Sequence, residues 1–94
     1  MRPEDVTSPR EKLSDLRIVY SSGQGPGSWS VAQFFWRNSS EEKRQRVGIR
    51  WNGPEDAKGN PTSSGNATWF VLPENLIADL VLTYARWMSV GGKT

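Results

Sequence analysis

Residues 44–52 read RQRVGIRWN and carry the clearest strand pattern in the chain. Apolar and other residues alternate there with the two-residue period of a β-strand. The apolar positions are Val47, Ile49 and Trp51, and the others are Arg46, Gly48, Arg50 and Asn52. The alternation predicts a strand with one face toward a core and a cationic face toward solvent.

Three further runs rich in β-branched and aromatic residues predict strands on either side of this segment. They are residues 17–20 (RIVY), 28–37 (SWSVAQFFWR) and 67–72 (ATWFVL). The last run is apolar enough for a central position in a sheet. The middle run has bulky residues on both faces, so we expect the helix, the N-terminal segment or a partner chain to cover the second face.

A helix is predicted from Pro73, which suits the first helical position, to the glycine pair 91–92. Its apolar residues recur at helical spacing and form a wide stripe. They are Leu76, Ile77, Leu80, Val81, Tyr84, Trp87 and Met88. Near the start of the chain, the stretch 8–11 (SPRE) resembles a capping box, which predicts either a short helix to about Leu16 or a solvated tail.

The order of these elements favours an α+β fold. Four strands joined mostly by short links predict an antiparallel meander, with the C-terminal helix packed on one face of the sheet. A small closed barrel with an appended helix is the alternative. The 94 residues fit one domain, 1–94, in which residues 1–15 are either flexible or a short helix.

The composition excludes several classes of function. The chain has no Cys and no His, so disulfides, thiol nucleophiles and thiolate zinc sites are excluded and the usual general base is missing. We expect no cofactor and no metal. The charged N-terminus lacks the apolar region of a secretion signal, and no stretch is long enough to span a bilayer, so we expect a cytoplasmic protein without membrane association.

One block resembles a group of small bacterial proteins. It comprises residues 46–53 (RVGIRWNG), 59–61 (GNP) and 68–73 (TWFVLP). This block is similar to small bacterial proteins of unassigned function that are associated with mobile elements, including integron gene cassettes, over roughly residues 44–76. The resemblance implies a stand-alone bacterial domain with a compact α+β fold, and it transfers no functional residue.

The positive charge is concentrated in one hairpin. Residues 37–50 hold five basic and two acidic residues, whereas the whole chain has a net charge of +2. Arg37, Arg44, Arg46 and Arg50 are of the type that contacts phosphates, and nearby aromatic rings can stack on bases, which makes nucleic-acid binding one alternative. The other interpretation is a solvated hairpin edge that its charge protects from pairing with other strands.

The five tryptophans point to an interface. A domain of this size can hardly bury all of them, because each is large and has an N–H group to satisfy. Exposed aromatic residues beside arginines favour a protein or ligand surface, and Trp36 and Trp51 are the candidates. Phe34 and Trp36 also form a strand face that a single helix does not cover, which predicts a homodimer.

Residues 52–66 (NGPEDAKGNPTSSGN) form a long loop without apolar periodicity, as functional or disordered segments do. Glu55 and Asp56 could run acid–base chemistry if a pocket separated their pKa values, but residues of this kind between Gly, Pro and Asn also form turns. A small-molecule pocket or an enzyme under this loop is therefore the second alternative.

The leading hypothesis is a small non-enzymatic binding or interaction module that acts as a homodimer or on a protein partner. Nucleic-acid binding and the pocket under the loop remain the alternatives, and no catalytic residue is assigned. The candidate surface comprises Trp36, Arg37, Arg44, Arg46, Arg50, Trp51, Asn52, Glu55, Asp56 and Asn60.

Overall fold

The computed structural model describes residues 1–37 and 42–90. The elements are a 3-10 turn (Pro3–Asp5), strands β1 (Leu13–Ser21), β2 (Gly25–Trp36), β3 (Arg44–Gly53), β4 (Thr62–Ser63), β5 (Asn66–Ala67) and β6 (Phe70–Val71), and helix α1 (Leu76–Ser89). Strands β1, β2, β3 and β6 form one antiparallel sheet in that order, and β4 and β5 form a separate hairpin. The predicted α+β fold, a meander of four strands with a C-terminal helix, is confirmed.

The sheet is covered on both sides. On the helix side, α1 packs through small and apolar residues against the sheet, and the buried cluster comprises Val31, Val47, Leu72, Ala78, Leu82 and Ala85. On the N-terminal side, the start of the chain and the segment before β6 form a second cluster of Val6, Leu13, Ala32, Phe34, Ala67 and Trp69. The bulk on both faces of β2 is thus covered by the helix and the N-terminal segment, two of the three covers expected.

Gly48 sets how closely the N-terminal side packs. It pairs with Ala32 across β2 and β3, and the ring of Phe34 lies directly over it. A Cβ atom at position 48 would lie 2.7 Å from a ring carbon of Phe34 and 3.0 Å from the Cβ of Trp69. Glycine at this position therefore lets two large aromatic side chains pack against the backbone of β3.

The short N-terminal helix is the 3-10 turn at Pro3–Asp5 and does not lie at residues 8–16, where the capping-box pattern placed it. The amides of Lys12 and Leu13 both donate to the Pro9 carbonyl at 3.0 and 2.9 Å, which closes a single turn. Strand β1 then begins at Leu13, because its side chain is buried on the N-terminal side and its backbone pairs with Trp36. Tertiary packing here overrides the local helix signal.

The central position predicted for the strand at 67–72 is wrong. Only Phe70–Val71 joins the main sheet, and β6 forms its edge beside β3. The apolar residues of this run contribute to both cores and not to a central strand: Trp69 packs on the N-terminal side and Leu72 on the helix side. The long loop before it is partly ordered by the β4–β5 hairpin and by a bridge between Trp51 and Asn60.

Helix α1 begins with a side-chain cap. Asn75 is the N-cap, and its Oδ1 accepts a hydrogen bond of 2.9 Å from the Ile77 amide. Asn75 is therefore the residue at which the helix begins, and the predicted start at Pro73 is two residues too early. The predicted C-cap at 91–92 and most of the predicted connection at 38–43 lie outside the described residues.

Candidate interaction surface

The apolar stripe predicted on α1 faces away from the sheet. Leu80 is 59% exposed, and Leu76, Ile77, Tyr84 and Trp87 are also exposed. The residues that contact the sheet are Ala78, Leu82 and Ala85, with Val81 at the edge of the contact. The helix is therefore apolar both on the side that contacts the sheet and on the side that faces solvent. The larger side chains are on the solvent side, which we call the outer side.

Helical geometry explains this arrangement. Successive residues are rotated by about 100° around the helix axis, which puts Ala78, Leu82 and Ala85 roughly opposite Leu80 and Trp87. Two alanines in the contact allow the helix axis to lie close to the sheet. Contacts of α1 with β1, β2 and β3 use this small-residue side.

Two aromatic residues of the sheet extend the exposed apolar surface. Trp51 of β3 is 57% exposed, and Phe70 of β6 is equally so. Trp51 projects to the helix side of the sheet, as Val47 and Ile49 do, but α1 does not cover it. We call the combined surface the open apolar face; it comprises Trp51, Phe70, Leu76, Ile77, Leu80, Tyr84 and Trp87.

A groove runs between α1 and the sheet within this face. Its volume is about 740 Å³, and apolar side chains from three strands and the helix form its walls. They include Trp29, Ile49, Trp51, Phe70, Leu80, Val81 and Tyr84, and Asn60 and Pro61 also line it. Tyr84 in turn contacts Trp87, with ring centroids 5.9 Å apart, so the groove is continuous with the outer side of the helix.

The open apolar face is as large as the largest apolar patches of monomeric proteins. A fully exposed aromatic side chain presents about 150–250 Å² and an aliphatic one roughly 100 Å², so seven side chains about half exposed leave on the order of 500 Å². The largest apolar patch on a typical monomeric protein is about 300–600 Å² and is often functional. The face therefore has the size of a binding surface.

Arg50 does not point to solvent, as the strand pattern predicted. It is 3% exposed and lies on the N-terminal side, with its guanidinium 6.0 Å from the ring centroid of Trp69. Its Nη1 and Nη2 donate to the carbonyls of Thr68 and Lys58. Burial lowers the pKa of the Arg50 guanidinium from its ordinary value. Arg50 thus ties the ends of segment 58–68 to β3.

Arg46 also serves the fold, whereas Arg44 forms an exposed ion pair. Arg46 Nη2 donates to the Leu72 carbonyl at 2.6 Å, and its Nη1 lies 3.6 Å from Glu74 Oε1. Arg44 Nη1 lies 3.5 Å from the same carboxylate oxygen, although Arg44 is exposed. The predicted solvent face of Arg46 and Arg50 on β3 is wrong, because the carbonyls of Lys58, Thr68 and Leu72 and the Glu74 carboxylate bind their guanidinium groups.

Asn52 is a structural residue. It is fully buried, its Oδ1 accepts a hydrogen bond of 2.9 Å from Ser30 Oγ, and its Nδ2 donates to the Gly23 carbonyl at 2.7 Å. These bonds hold the turn between β1 and β2 against the end of β3. A side chain buried and bonded in this way is unavailable to a ligand.

The acidic pair of the long loop lies apart from the groove. Glu55 and Asp56 are exposed within a turn that is closed by a 3.0 Å hydrogen bond from the Ala57 amide to the Pro54 carbonyl. Asn60, in contrast, lines the groove, and its backbone exchanges hydrogen bonds of 2.8 and 3.0 Å with Trp51. Of the loop candidates, only Asn60 comes together with Trp51.

Trp36 and Arg37 lie at the other end of the β2–β3 ladder. Trp36 pairs with Arg44, whereas Trp51 pairs with Trp29. Trp36 is half-buried on the N-terminal side, where its ring centroid lies 6.2 Å from that of Phe34 and 5.9 Å from the Lys12 ammonium. Phe34 is 1% exposed. The prediction that this strand face is uncovered, on which the homodimer was based, is therefore wrong. Arg37 is exposed and separate from the open apolar face.

Comparisons with known proteins add no relative. The chain matches no protein-family model, no curated protein and no solved structure. The resemblance to proteins of mobile elements therefore stays a prediction. Within residues 1–37 and 42–90, no group of His, Cys, Asp and Glu is placed to hold a metal ion. No helix in these ranges is long and apolar enough to cross a membrane.

The sequence interpretation missed Phe70, Leu80, Tyr84 and Trp87 as surface residues. One signal could have found those on the helix. Apolar residues occupy about two thirds of the circumference of α1, and a helix that lies on one face of a sheet needs only about a third to bury itself. The apolar surface beyond that third predicts that a second side of the helix is covered by another molecule. The alanines indicate which side contacts the sheet.

Proposed function

We propose that this protein is a non-enzymatic interaction module that binds a protein partner through the open apolar face. The observation that carries the proposal is the exposed row of large apolar residues on α1, which continues into Trp51 and Phe70 of the sheet. Interface cores are enriched in tryptophan, tyrosine and phenylalanine, and this face contains all three.

The shape of the surface favours a helical partner. The exposed residues follow the length of α1, and the groove beside the helix has apolar walls on both sides. An amphipathic helix recognises such a surface through apolar residues spaced three and four apart. A partner that presents an apolar helical stripe therefore fits better than an extended polar peptide.

Nucleic-acid binding is less well supported by the geometry. Arg50 is buried, and Arg46 is bound to a carbonyl and a carboxylate. Among the described basic residues of the hairpin, Arg37, Lys43 and Arg44 remain exposed. A phosphate-binding surface needs more cations than this in one patch.

A small-molecule pocket is the second candidate, and the volume of the groove favours it. At about 740 Å³ the groove falls within the usual range of ligand pockets, and loop residues Asn60 and Pro61 help to line it. This proposal retains the pocket at the loop but leaves out acid–base chemistry, because Glu55 and Asp56 lie elsewhere.

A titration with an amphipathic leucine–lysine helical peptide tests the main proposal. It is followed by amide chemical shifts of the protein at low micromolar concentration. We expect the shifts to move along α1 and at residues 49–52, 60–61 and 70. A small aromatic probe such as naphthalene sulfonate should move only residues 49–51, 60–61 and 70 if the groove is mainly a ligand pocket.

Two variants make the titration specific. Leu80→Glu puts a charge in the centre of the open apolar face and should abolish peptide binding. Phe35→Ser is the matched control, because Phe35 is also an exposed apolar residue but lies near the opposite end of β2. Peptide binding that is insensitive to Leu80→Glu, or shifts that map to the N-terminal side, would contradict the proposal.

A further inference from the structure

Two charged residues lie along one edge of the exposed row on α1. Asp79 and Arg86 are both exposed and are seven residues apart, which puts them on the same side of the helix. Their backbones are separated by about 10.5 Å along the axis, too far for an ion pair with each other. Neither takes part in an ion pair within residues 1–37 and 42–90.

Asp79 and Arg86 are placed symmetrically about the middle of α1, and the exposed apolar residues lie on both sides of the same point. Asp79 and Arg86 are equidistant from the middle of α1, between residues 82 and 83. Leu80 and Tyr84 lie on either side of it, and so do Leu76 and Trp87, with the second pair less evenly spaced. When two identical helices pack antiparallel about this point, apolar residues meet apolar residues, and Asp79 of each helix meets Arg86 of the other.

A parallel pair of helices would leave these charges without partners. In a parallel twofold pair, the flank of one helix that carries Asp79 and Arg86 lies beside the opposite flank of the other helix, which carries the apolar residues Ile77 and Tyr84. The twofold axis of an isologous dimer requires a surface that is complementary to itself. The outer side of α1 meets this requirement in the antiparallel orientation.

We propose that the partner is a second copy of this chain, with the two α1 helices packed antiparallel and the Asp79 and Arg86 side chains paired across the twofold axis. The inference rests on the proposed function, since it names the occupant of the open apolar face. It retains the homodimer predicted from the sequence but moves its interface from Phe34 and Trp36 to the helix.

The size of the face agrees with a reversible dimer. Interfaces are about 60% apolar, so complete burial of the face, roughly 500 Å² of apolar surface, corresponds to an upper limit of about 800 Å² on each copy. Stable interfaces of standard size bury about this area per partner. The groove beside Trp51 lies next to the helix pair and is partly covered by the second copy.

Charge reversal combined with sedimentation equilibrium tests the inference. Asp79→Arg and Arg86→Asp each replace two attractive pairs by two repulsive ones, so each should raise the dissociation constant of the dimer about tenfold. The double variant, with both reversals, restores opposite charges and should return the constant to within about threefold of that of the original chain.

Matched controls separate pairing from a general effect of charge. Asp56→Arg and Arg10→Asp change the net charge by the same amounts at exposed positions in the 54–57 turn and the N-terminal segment, and they should leave the dissociation constant unchanged. Far-ultraviolet circular dichroism checks that each variant remains folded. Leu80→Glu removes the apolar contact itself and should leave only monomer.

The outcomes distinguish this inference from the proposed function. A chain that stays monomeric at high micromolar concentration but binds the amphipathic peptide overturns the dimer and leaves the interaction module intact. A dimer that the double reversal does not restore overturns the antiparallel arrangement. A dimer that persists in Leu80→Glu overturns both the dimer interface and the role of the open apolar face.

Discussion

The two sides of the sheet use the same residue types for different purposes. On the N-terminal side, Trp69 is 3% exposed, and its indole N–H donates to the Val6 carbonyl at 2.8 Å. On the helix side, Trp51 sits in β3 with more than half of its surface exposed. Trp69 is thus part of a closed core, whereas Trp51 lies on an apolar surface that the chain leaves exposed.

This difference indicates that the N-terminal side provides stability, whereas the exposed part of the helix side is available for binding. The N-terminal side is closed by close packing around Gly48 and by the hydrogen bonds of Arg50 and Asn52. The helix side is closed only under Ala78, Leu82 and Ala85. We therefore expect substitutions on the N-terminal side to change the free energy of unfolding, and substitutions on the open apolar face to change association.

The largest expected effect is that of Trp69→Ala. It removes a buried aromatic side chain and leaves the Val6 carbonyl without its donor, so it should lower the free energy of unfolding by about 3–5 kcal/mol. Urea denaturation followed by circular dichroism measures the change. The matched variant Trp51→Ala should cost less than about 1 kcal/mol, and equal costs at the two positions would break the comparison.

Gly48→Ala tests the close packing of the same side. The added Cβ would clash with the ring of Phe34, which should lower the free energy of unfolding by about 2–3 kcal/mol. Combining it with Phe34→Leu creates space for the new methyl group, so the double variant should lose less stability than the sum of the single variants. Additive costs would show that the clash is not the cause.

Arg50→Lys tests whether the guanidinium fixes segment 58–68. A lysine ammonium cannot reach both the Thr68 and the Lys58 carbonyls with the geometry of the planar guanidinium, so we expect a loss of about 1–2 kcal/mol. Thermal and urea unfolding report the change. Arg44→Lys is the control, because Arg44 forms an exposed ion pair and should change the stability by less than about 0.5 kcal/mol.

The smallest expected effect on stability sharpens the comparison within one helix. Leu80→Ala should change the free energy of unfolding of the monomer by less than about 0.5 kcal/mol, since Leu80 is exposed. Leu82→Ala, two residues further along, removes a buried side chain and should cost about 2–3 kcal/mol. Chemical denaturation of dilute protein measures both. A similar cost for the two leucines would show that the outer side of α1 packs within its own chain.

The sequence predicts the elements of the fold better than it predicts their faces. Alternation over 44–52 and helical spacing over 76–88 are local patterns, and both elements form where they are expected. The exposure of Arg50 depends on where the distant segment 58–68 lies, which no local pattern records. The same limit explains β1, because the burial of Leu13 depends on the N-terminal segment.

The candidate surface was predicted only in part for the same reason. Trp51 and Asn60 come together at the groove, as their place near the loop indicates. Trp36 lies on the other side of the sheet, and Arg46, Arg50 and Asn52 hold backbone and side-chain groups of the fold. A polar residue on a strand can face solvent or bond a neighbouring segment, and alternation alone does not distinguish the two.

The most direct test of the account is the concentration dependence of the amide chemical shifts of the unmodified chain. On dilution from the millimolar to the low micromolar range, we predict shifts along residues 76–88 and at Trp51 and Phe70, while Val6, Phe34 and Trp69 stay unchanged. Shifts confined to the N-terminal side, or an absence of shifts at every concentration, would contradict self-association through the open apolar face.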